Sequence, residues 1–392
     1  MKKLAIITTH PIQYYAPLFR KIAERGTVQL KVFYTWSQAK EKVYDPGFGK
    51  ERSWDIPLLE GYDYTFVENT SKSPGSHHFN GIINPSLIKK VQKWESDAII
   101  VFGWSFRSHL AVMRFFKGKV PVMFKGDSNL LDEPKGFSVK KMARRIFLSW
   151  VYSHIDVALY VGSANKAYYL AHGVPAEKLV FSPHAIDNER FKSNGGFFET
   201  KAAEWRKELG IKEGETVFVY AAKLISKKQP EFLITSFLSL QLPQARLVII
   251  GNGEMEGSLK EKYGNNKAII FADFQNQSNM PVVYRLGDVF CLPSKGPGET
   301  WGLAVNEAMA CARPVLVSDK AGCAIDLVKE GENGYVFNSG NTSDLCTKMK
   351  LLMSRKEELK QMGSASLTIV EDWSYENIIQ SIEKITSVNV GK

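Results

Sequence analysis

Two carboxylates and two lysines are spaced along this chain as if to hold a polyanion that also carries hydroxyl groups. In GPGETWGLAVNEAMACARPVLVSDKAG, residues 296–322, Glu299 lies in a Gly/Pro-rich loop and Glu307 follows eight positions on, inside an apolar helical run. Upstream, YAAKLISKKQPEFL places Lys223 and Lys228 after a β-branched run and ahead of a helix opening at Gln229 and Pro230. Ammonium groups at a strand end beside a helix start suit a diphosphate. Pro297 and Gly298 break the chain, so the backbone amides of Thr300, Trp301, Gly302 and Leu303 open the helix that carries Glu307. The first amides of a helix have no intrahelical acceptor and favour an anion. A carboxylate is a poor phosphate ligand but a good acceptor for paired hydroxyls. Two carboxylates flanking a phosphate site therefore read as a sugar, a diphosphate and a ribose, which is a nucleotide sugar. Taken singly, each of these charged residues also fits a solvated surface position. Gly251 and Gly253, in VIIGNGEMEG, fit either a backbone opened to a ligand or a plain strand-to-helix turn.

The elements that must position these residues alternate in type. Short β-branched runs (LAIIT, LKVFYT, AIIVFG, VPVMFKG, VALYVG and LVFSP in the first half; TVFVYAA, RLVIIG, AIIFAD, DVFCLP, PVLVS and GYVF in the second) are separated by longer amphipathic stretches. That alternation predicts βα units and parallel sheets. Strands this uniformly apolar are covered on both faces. The fold class expected is α/β, with two doubly wound Rossmann-like domains facing across a cleft and ligands at the carboxyl ends of their strands. The stretch NERFKSNGGFFETKAAEWRKELG carries no strand signal and marks the junction, near 188–200. The expected domains are 1–190 and 200–373.

Composition narrows the classes. A chain of 392 residues favours two domains, and 44% hydrophobic with 23% charged residues describes a globular protein. Cys291, Cys311, Cys323 and Cys346 have neither metal-ligand nor redox-motif spacing. The adjacent His77 and His78 lack a third ligand, so no metal site is expected. The opening LAII is too short for a signal peptide, and no run reaches the length of a membrane span. A cytoplasmic location is expected. The net charge of +10 points to anionic partners. With no zinc-finger spacing and no aromatic RNA-binding signature, nucleic acid is not expected. FSVKKMARRIFLSWVYSHI, a basic amphipathic stretch, fits either the anionic face of a membrane or an ordinary helix with a basic edge.

Several motifs then fall in a known order. Glu299-x7-Glu307 with AMACARPVLVS and GENGYVF resembles the donor-site region of the retaining glycosyltransferases of family 4, which have the GT-B fold. AAKLISKKQPEFLI, LVIIGNGEMEGSLKE, VYRLGDVFCLPS, the junction VFSPHAIDNERF and the closing EDWSYENI also resemble segments of that family, over about residues 178–380. The resemblance implies a helix at about 374–392 returning to the first domain. It implies that Lys223 and Lys228 bind the donor phosphates, Glu307 the ribose hydroxyls and Glu299 the hydroxyls of the transferred sugar. It places the amides of Thr300 to Leu303 along phosphates and sugar, and the loop at Phe274 against the base. It implies retention at the sugar carbon, a UDP- or GDP-linked donor as substrate, no separate cofactor, and a glycan or lipid-linked sugar acceptor in cell-surface polysaccharide or glycolipid synthesis.

The first half departs from the family pattern. Gly103, Trp104 and Ser105 stand where many members carry a histidine, with His109 following on a helix. THPIQYYAPLFRKIA replaces the usual Gly-Gly loop after the first strand. His10, Gln13, Tyr14, Trp104 and Asp127, with Lys125 and Ser128, are the acceptor-side candidates; His10 fits either a group that orients an acceptor hydroxyl or a capping or packing histidine at a strand-to-helix turn, and Asp127 also fits a cap on the segment that follows. Two other functions use the same fold: a sugar-nucleotide epimerase or sugar-phosphate synthase, and a non-catalytic binding protein.

Overall fold

In the computed structural model, residues 1–40, 43–45, 50–52, 54–134, 136–192 and 194–387 are described. The β-branched runs form two parallel sheets. The first comprises β1 (Lys2–Thr8), β2 (Val28–Tyr34), β5 (Asp63–Phe66), β6 (Ala98–Phe102), β7 (Val122–Lys125), β8 (Val157–Tyr160) and β9 (Leu179–Phe181), in the order β5-β2-β1-β6-β7-β8-β9. The second comprises β10 (Thr216–Ala221), β11 (Ala245–Ile250), β12 (Ile269–Ala272), β13 (Val289–Leu292), β14 (Val315–Ser318) and β15 (Gly334–Phe337), in the order β12-β11-β10-β13-β14-β15. A two-stranded sheet pairs β3 (Val43–Asp45) with β4 (Lys50–Arg52). The edge strand β5 and this small sheet carry no clear apolar pattern, and sequence reasoning missed them.

Each large sheet winds outward from its first strand. β1 sits between β2 and β6, with Leu4 opposite both Leu30 and Ala98. β10 sits between β11 and β13, with Phe218 opposite Leu247 and Val289. The winding reverses at β1/β6 and at β10/β13, and the carboxyl ends of those strand pairs open the crevices where ligands bind in such sheets. Residues Val289–Leu292 and Val315–Ser318 are buried throughout, as strands covered on both faces must be.

The chain divides into two compact units. The first holds 1–43, 56–183 and the residues from Tyr375 onward. Within it the helix Tyr375–Ser387 is tied to the rest by Arg25, which bonds Glu376 at 2.7 Å and Glu383 at 2.9 Å, and by the Tyr375 hydroxyl donating to the Tyr14 carbonyl at 2.7 Å. The second holds 44–55 and 184–374. The change of unit falls at Pro183–His184, a few residues ahead of the expected junction. The reason is local: the His184 carbonyl accepts from Asn306 Nδ2 at 3.1 Å, and Ile186 and Phe191 are buried. The expected junction segment is itself ordered as helices Asn188–Phe191 and Phe197–Glu208. Trp54 and Asp55, expected in the first domain, group with the second unit. The Asp55 carboxylate accepts from the Ser278 amide at 3.1 Å and from the Ser278 hydroxyl.

His109 shows how the first sheet is pinned. It lies on the helix Arg107–Phe116, fully buried, with Nδ1 at 3.0 and 2.9 Å from the carbonyl oxygens of Phe102 and Gly103. Two carbonyls around Nδ1 require the proton there, so Nε2 accepts from the Thr35 hydroxyl at 2.8 Å. The ring thus joins the ends of β2 and β6. Burial lowers its pKa from 6.5 to about 4. A depressed histidine pKa favours folding above the unfolded value and loses that contribution as pH falls toward the folded one, up to about 3 kcal/mol here. Melting temperatures measured from neutral pH down to about 4 are therefore expected to fall more steeply for the wild type than for His109→Gln. Equal slopes would show that this ring carries no such linkage.

Candidate functional site

The β10/β13 crevice gathers most of the residues expected to hold a donor. β10 ends at Ala221, and the Tyr220 hydroxyl, from a fully buried side chain, donates to the Lys223 carbonyl at 2.9 Å. That bond fixes the turn carrying Lys223. A short turn, Ser226–Lys228, then leads through Gln229, at φ 55°, into the helix Pro230–Ser239. Across the crevice, the loop after β13 brings Glu299 back to Lys228. Lys228 Nζ and Glu299 Oε2 are in direct contact, and the Ser294 hydroxyl donates to the same oxygen at 2.7 Å. The Lys295 amide donates to the Lys227 carbonyl at 3.0 Å and ties the two loops together. Lys228 and Glu299 keep 20% and 11% of their side-chain surface, so the pair is reachable and partly desolvated. Sequence reasoning found both residues but not their pairing, because nothing in the spacing shows that the two loops meet.

The loop ends where the helix Leu303–Ala310 begins. Gly302, at φ 103°, caps it, and a Cβ there would stand 2.8 Å from Leu292 Cδ2, so the position is restricted to glycine. Trp301 is buried: its Nε1 donates to Asn306 Oδ1 at 2.8 Å, and its ring stacks on Trp373. The indole therefore anchors the loop, and only its backbone amide remains a candidate for the anion. Thr300 and Leu303 are half-buried on either side. Glu307 lies deeper than its place on a crevice-facing helix implies. It is 2% exposed, and the Tyr284 hydroxyl donates to its Oε2 at 2.5 Å. Tyr284, on the helix Met280–Leu286, was missed by sequence reasoning, since an aromatic in VVYRL reads as core.

Gly251 and Gly253 have a packing explanation. A Cβ on Gly251 would stand 2.1 Å from the Ala222 carbonyl oxygen, and one on Gly253 2.5 Å from that of Leu224. The two loops are docked by Leu224 donating to Asn252 O and Met255 donating to Leu224 O, each at 3.0 Å. The turn reading accounts for both glycines. Asn252, buried, also accepts from the Phe274 amide at 3.2 Å, and the Phe274 ring lies 6.5 Å from that of Trp54.

In the first unit, His10 follows β1 with Nδ1 2.9 Å from the Thr9 hydroxyl and its ring edge-on to Trp36. Burial lowers its pKa to about 4, so the imidazole is neutral at physiological pH and a weak base. Gln13 and Tyr14 are half-buried in the turn before the helix Ala16–Arg25. Trp104, after β6, packs edge-on against Phe147. Asp127 sits in the loop after β7, where its charge acts on Tyr15 and Tyr169. Lys125 does not reach a crevice. It is 3% exposed and donates to the Ser182 carbonyl at 2.8 Å and the Ser182 hydroxyl at 3.1 Å, with burial lowering its pKa to about 7. Among the described residues, no group of three or more His, Cys, Asp or Glu could hold a metal ion.

Two Rossmann-like units with parallel sheets and polar residues at the carboxyl ends of their central strands make the GT-B fold. Residues 201–367 match the family model of glycosyl transferases group 1. The whole chain is similar in fold to the Anabaena protein Alr3699/HepE, solved in complex with UDP and glucose. The TM-score is 0.70 at 18% identity, covering 99% of this chain and 100% of that one. In sequence it is similar to the sulfoquinovosyl transferase of Arabidopsis thaliana, 26% identical over 74% of this chain and 57% of that protein. It is also 25% identical to a GDP-mannose-dependent alpha-(1-6)-phosphatidylinositol monomannoside mannosyltransferase of Mycobacterium tuberculosis, over 62% of this chain and 64% of that protein. The chain spans less than two thirds of the length of either relative.

The Tyr284–Glu307 bond is a charge-assisted hydrogen bond, worth roughly 1.5–3 kcal/mol. Tyr284→Phe is expected to lower unfolding free energy in urea by about that amount, and adding Glu307→Gln to recover part of it. No loss in Tyr284→Phe would show that the hydroxyl does not stabilise this carboxylate.

Proposed function

We propose that the protein is a retaining glycosyltransferase that moves a sugar from a UDP- or GDP-linked donor to a hydroxyl of a glycan or lipid-linked sugar acceptor. The carrying observation is the β10/β13 crevice, where Lys228 and Glu299 meet beside the start of the helix that holds Glu307. Lys223, Lys228 and the amides from Thr300 to Leu303 bind the diphosphate. Glu307, held by Tyr284, takes the ribose. Glu299 takes hydroxyls of the sugar, and the loop at Phe274 meets the base. The family of residues 201–367, the UDP in the Alr3699/HepE structure and the GDP-mannose in the mycobacterial relative's name support this reading.

The chemistry asked of these residues is electrostatic. The bond from the anomeric carbon to the β-phosphate oxygen breaks, the acceptor oxygen bonds to that carbon from the same face, and the acceptor proton passes to a donor phosphate oxygen. Charge grows on the departing diphosphate, and preorganised donors aimed at it lower the barrier, each by roughly 3–4 kcal/mol. No step calls on a protein nucleophile or a metal. His10, neutral and weakly basic, orients the acceptor hydroxyl and does not deprotonate it. Synthesis of cell-surface polysaccharide or glycolipid is the setting this reading favours. An epimerase needs no acceptor and a binding protein releases no nucleotide, so nucleotide release that depends on added acceptor separates all three.

The Lys228–Glu299 contact sharpens the test. Calorimetry with free UDP or GDP is expected to show unchanged or tighter binding by Glu299→Gln, since Lys228 is released from its carboxylate. Glu307→Gln should weaken the free nucleotide and the intact donor alike, by about tenfold. Glu299→Gln should instead lower the transfer rate. If Glu299→Gln loses free nucleotide as badly as Glu307→Gln, the two carboxylates do not divide the donor in this way.

A further inference from the structure

The helix Val139–Tyr152 buries only Leu148, Val151 and Tyr152. Of the thirteen large apolar side chains exposed among the described residues, six fall within residues 137–150: Phe137, Val139, Met142, Ile146, Phe147 and Trp150. Phe137 is 83% exposed and Ile146 66%. Positions 139, 142, 146 and 150 recur at spacings of three and four, so they share one helix face. Single exposed apolar residues need no explanation, but five on one helix with a sixth just before it do.

The charges beside them indicate what covers that face. Lys141 and Arg145 are paired with Glu133, at 2.9 and 3.1 Å. Lys140 and Arg144 are exposed and have no carboxylate partner among the described residues. The Arg114 guanidinium lies 5.5 Å from the Trp150 ring, adding a third cation at the same border. Apolar side chains rimmed by uncommitted cations, with a tryptophan among them, suit the boundary between anionic headgroups and acyl chains. A second copy docked here about a two-fold axis would set these cations against each other.

We propose that this face docks on an anionic lipid bilayer and that the acceptor is held in that bilayer by a lipid anchor. The link is Trp104. It stands in the loop after β6, beside the strand that leads to His10, and its ring packs on Phe147 at 5.6 Å between centroids. The apolar face is therefore continuous with the carboxyl edge of the first sheet, where the acceptor is assigned. An acceptor hydroxyl carried at the membrane surface reaches that edge without leaving the bilayer. The docking stands on the helix alone; the acceptor's class rests on the function proposed above.

Sedimentation of the full chain with vesicles tests the docking. Mixed phosphatidylglycerol/phosphatidylcholine vesicles should capture the protein at low salt, and pure phosphatidylcholine vesicles far less. Removing two surface charges with Lys140→Gln and Arg144→Gln should weaken capture by roughly thirtyfold, at about fivefold per charge. Phe137→Ser with Ile146→Ser should also release it. In both variants the melting-temperature shift on adding UDP or GDP should stay that of the wild type, which shows that the fold and donor site are intact. No capture at low salt, or capture indifferent to these substitutions, overturns the proposal. So does a self-association abolished by Phe137→Ser with Ile146→Ser in a protein that ignores vesicles. A wild type that binds vesicles but shows no nucleotide shift would instead count against the proposed transferase.

Discussion

The ion pair of Lys228 with Glu299 spans the point where the second sheet reverses its winding. One partner follows β10 and the other follows β13, the two neighbouring strands whose crossovers leave in opposite directions. Each loop is held by its own means, Lys223 by Tyr220 beneath it and Glu299 by Ser294 and the buried Trp301 on either side. Opposite charges are thus kept close in a partly desolvated place, where their field is stronger than at an open surface. A pair that a diphosphate and a sugar can separate is a suitable resting state for both residues. In the proposed function each would exchange its partner for a group of the ligand, so neither charge is left bare.

The supports around this pair are less visible than the pair itself. Gly302 is the hinge between loop and helix, and no side chain fits there. Gly251 and Gly253 let the neighbouring loop lie against the Lys223 turn. Tyr284 donates to one oxygen of a carboxylate that is costly to bury unpaired. Together they hold charged groups in positions that the groups alone would not choose. In the first unit His109, Lys125 and the Arg25 pairs with Glu376 and Glu383 serve the fold, leaving His10 and Trp104 at the edge of the sheet.

What the sequence disclosed follows from periodicity. The strands of the second sheet are predominantly apolar runs, and their ends place Lys223, Lys228 and Glu299 without any coordinates. What it withheld is whatever depends on two distant segments meeting. The contact of Lys228 with Glu299 joins residues 71 apart, and that of Asp55 with Ser278 joins residues 223 apart. Lys125 reads as a strand-end cation, yet a buried lysine and an exposed one share the same local sequence; only the position of Ser182 decides. The exposure of Phe137 and Ile146 is of the same kind, since an amphipathic stretch shows that a helix has two faces and not which of them is covered.

The central claim is that a nucleoside diphosphate binds at the β10/β13 crevice. Hydrogen–deuterium exchange of the full chain, with and without saturating UDP or GDP, tests it most directly. The account predicts slowed exchange at the amides of residues 222–229 and 299–304, with smaller changes near Phe274. Nucleotide binding without protection of those two loops would contradict it, as would protection confined to the first unit.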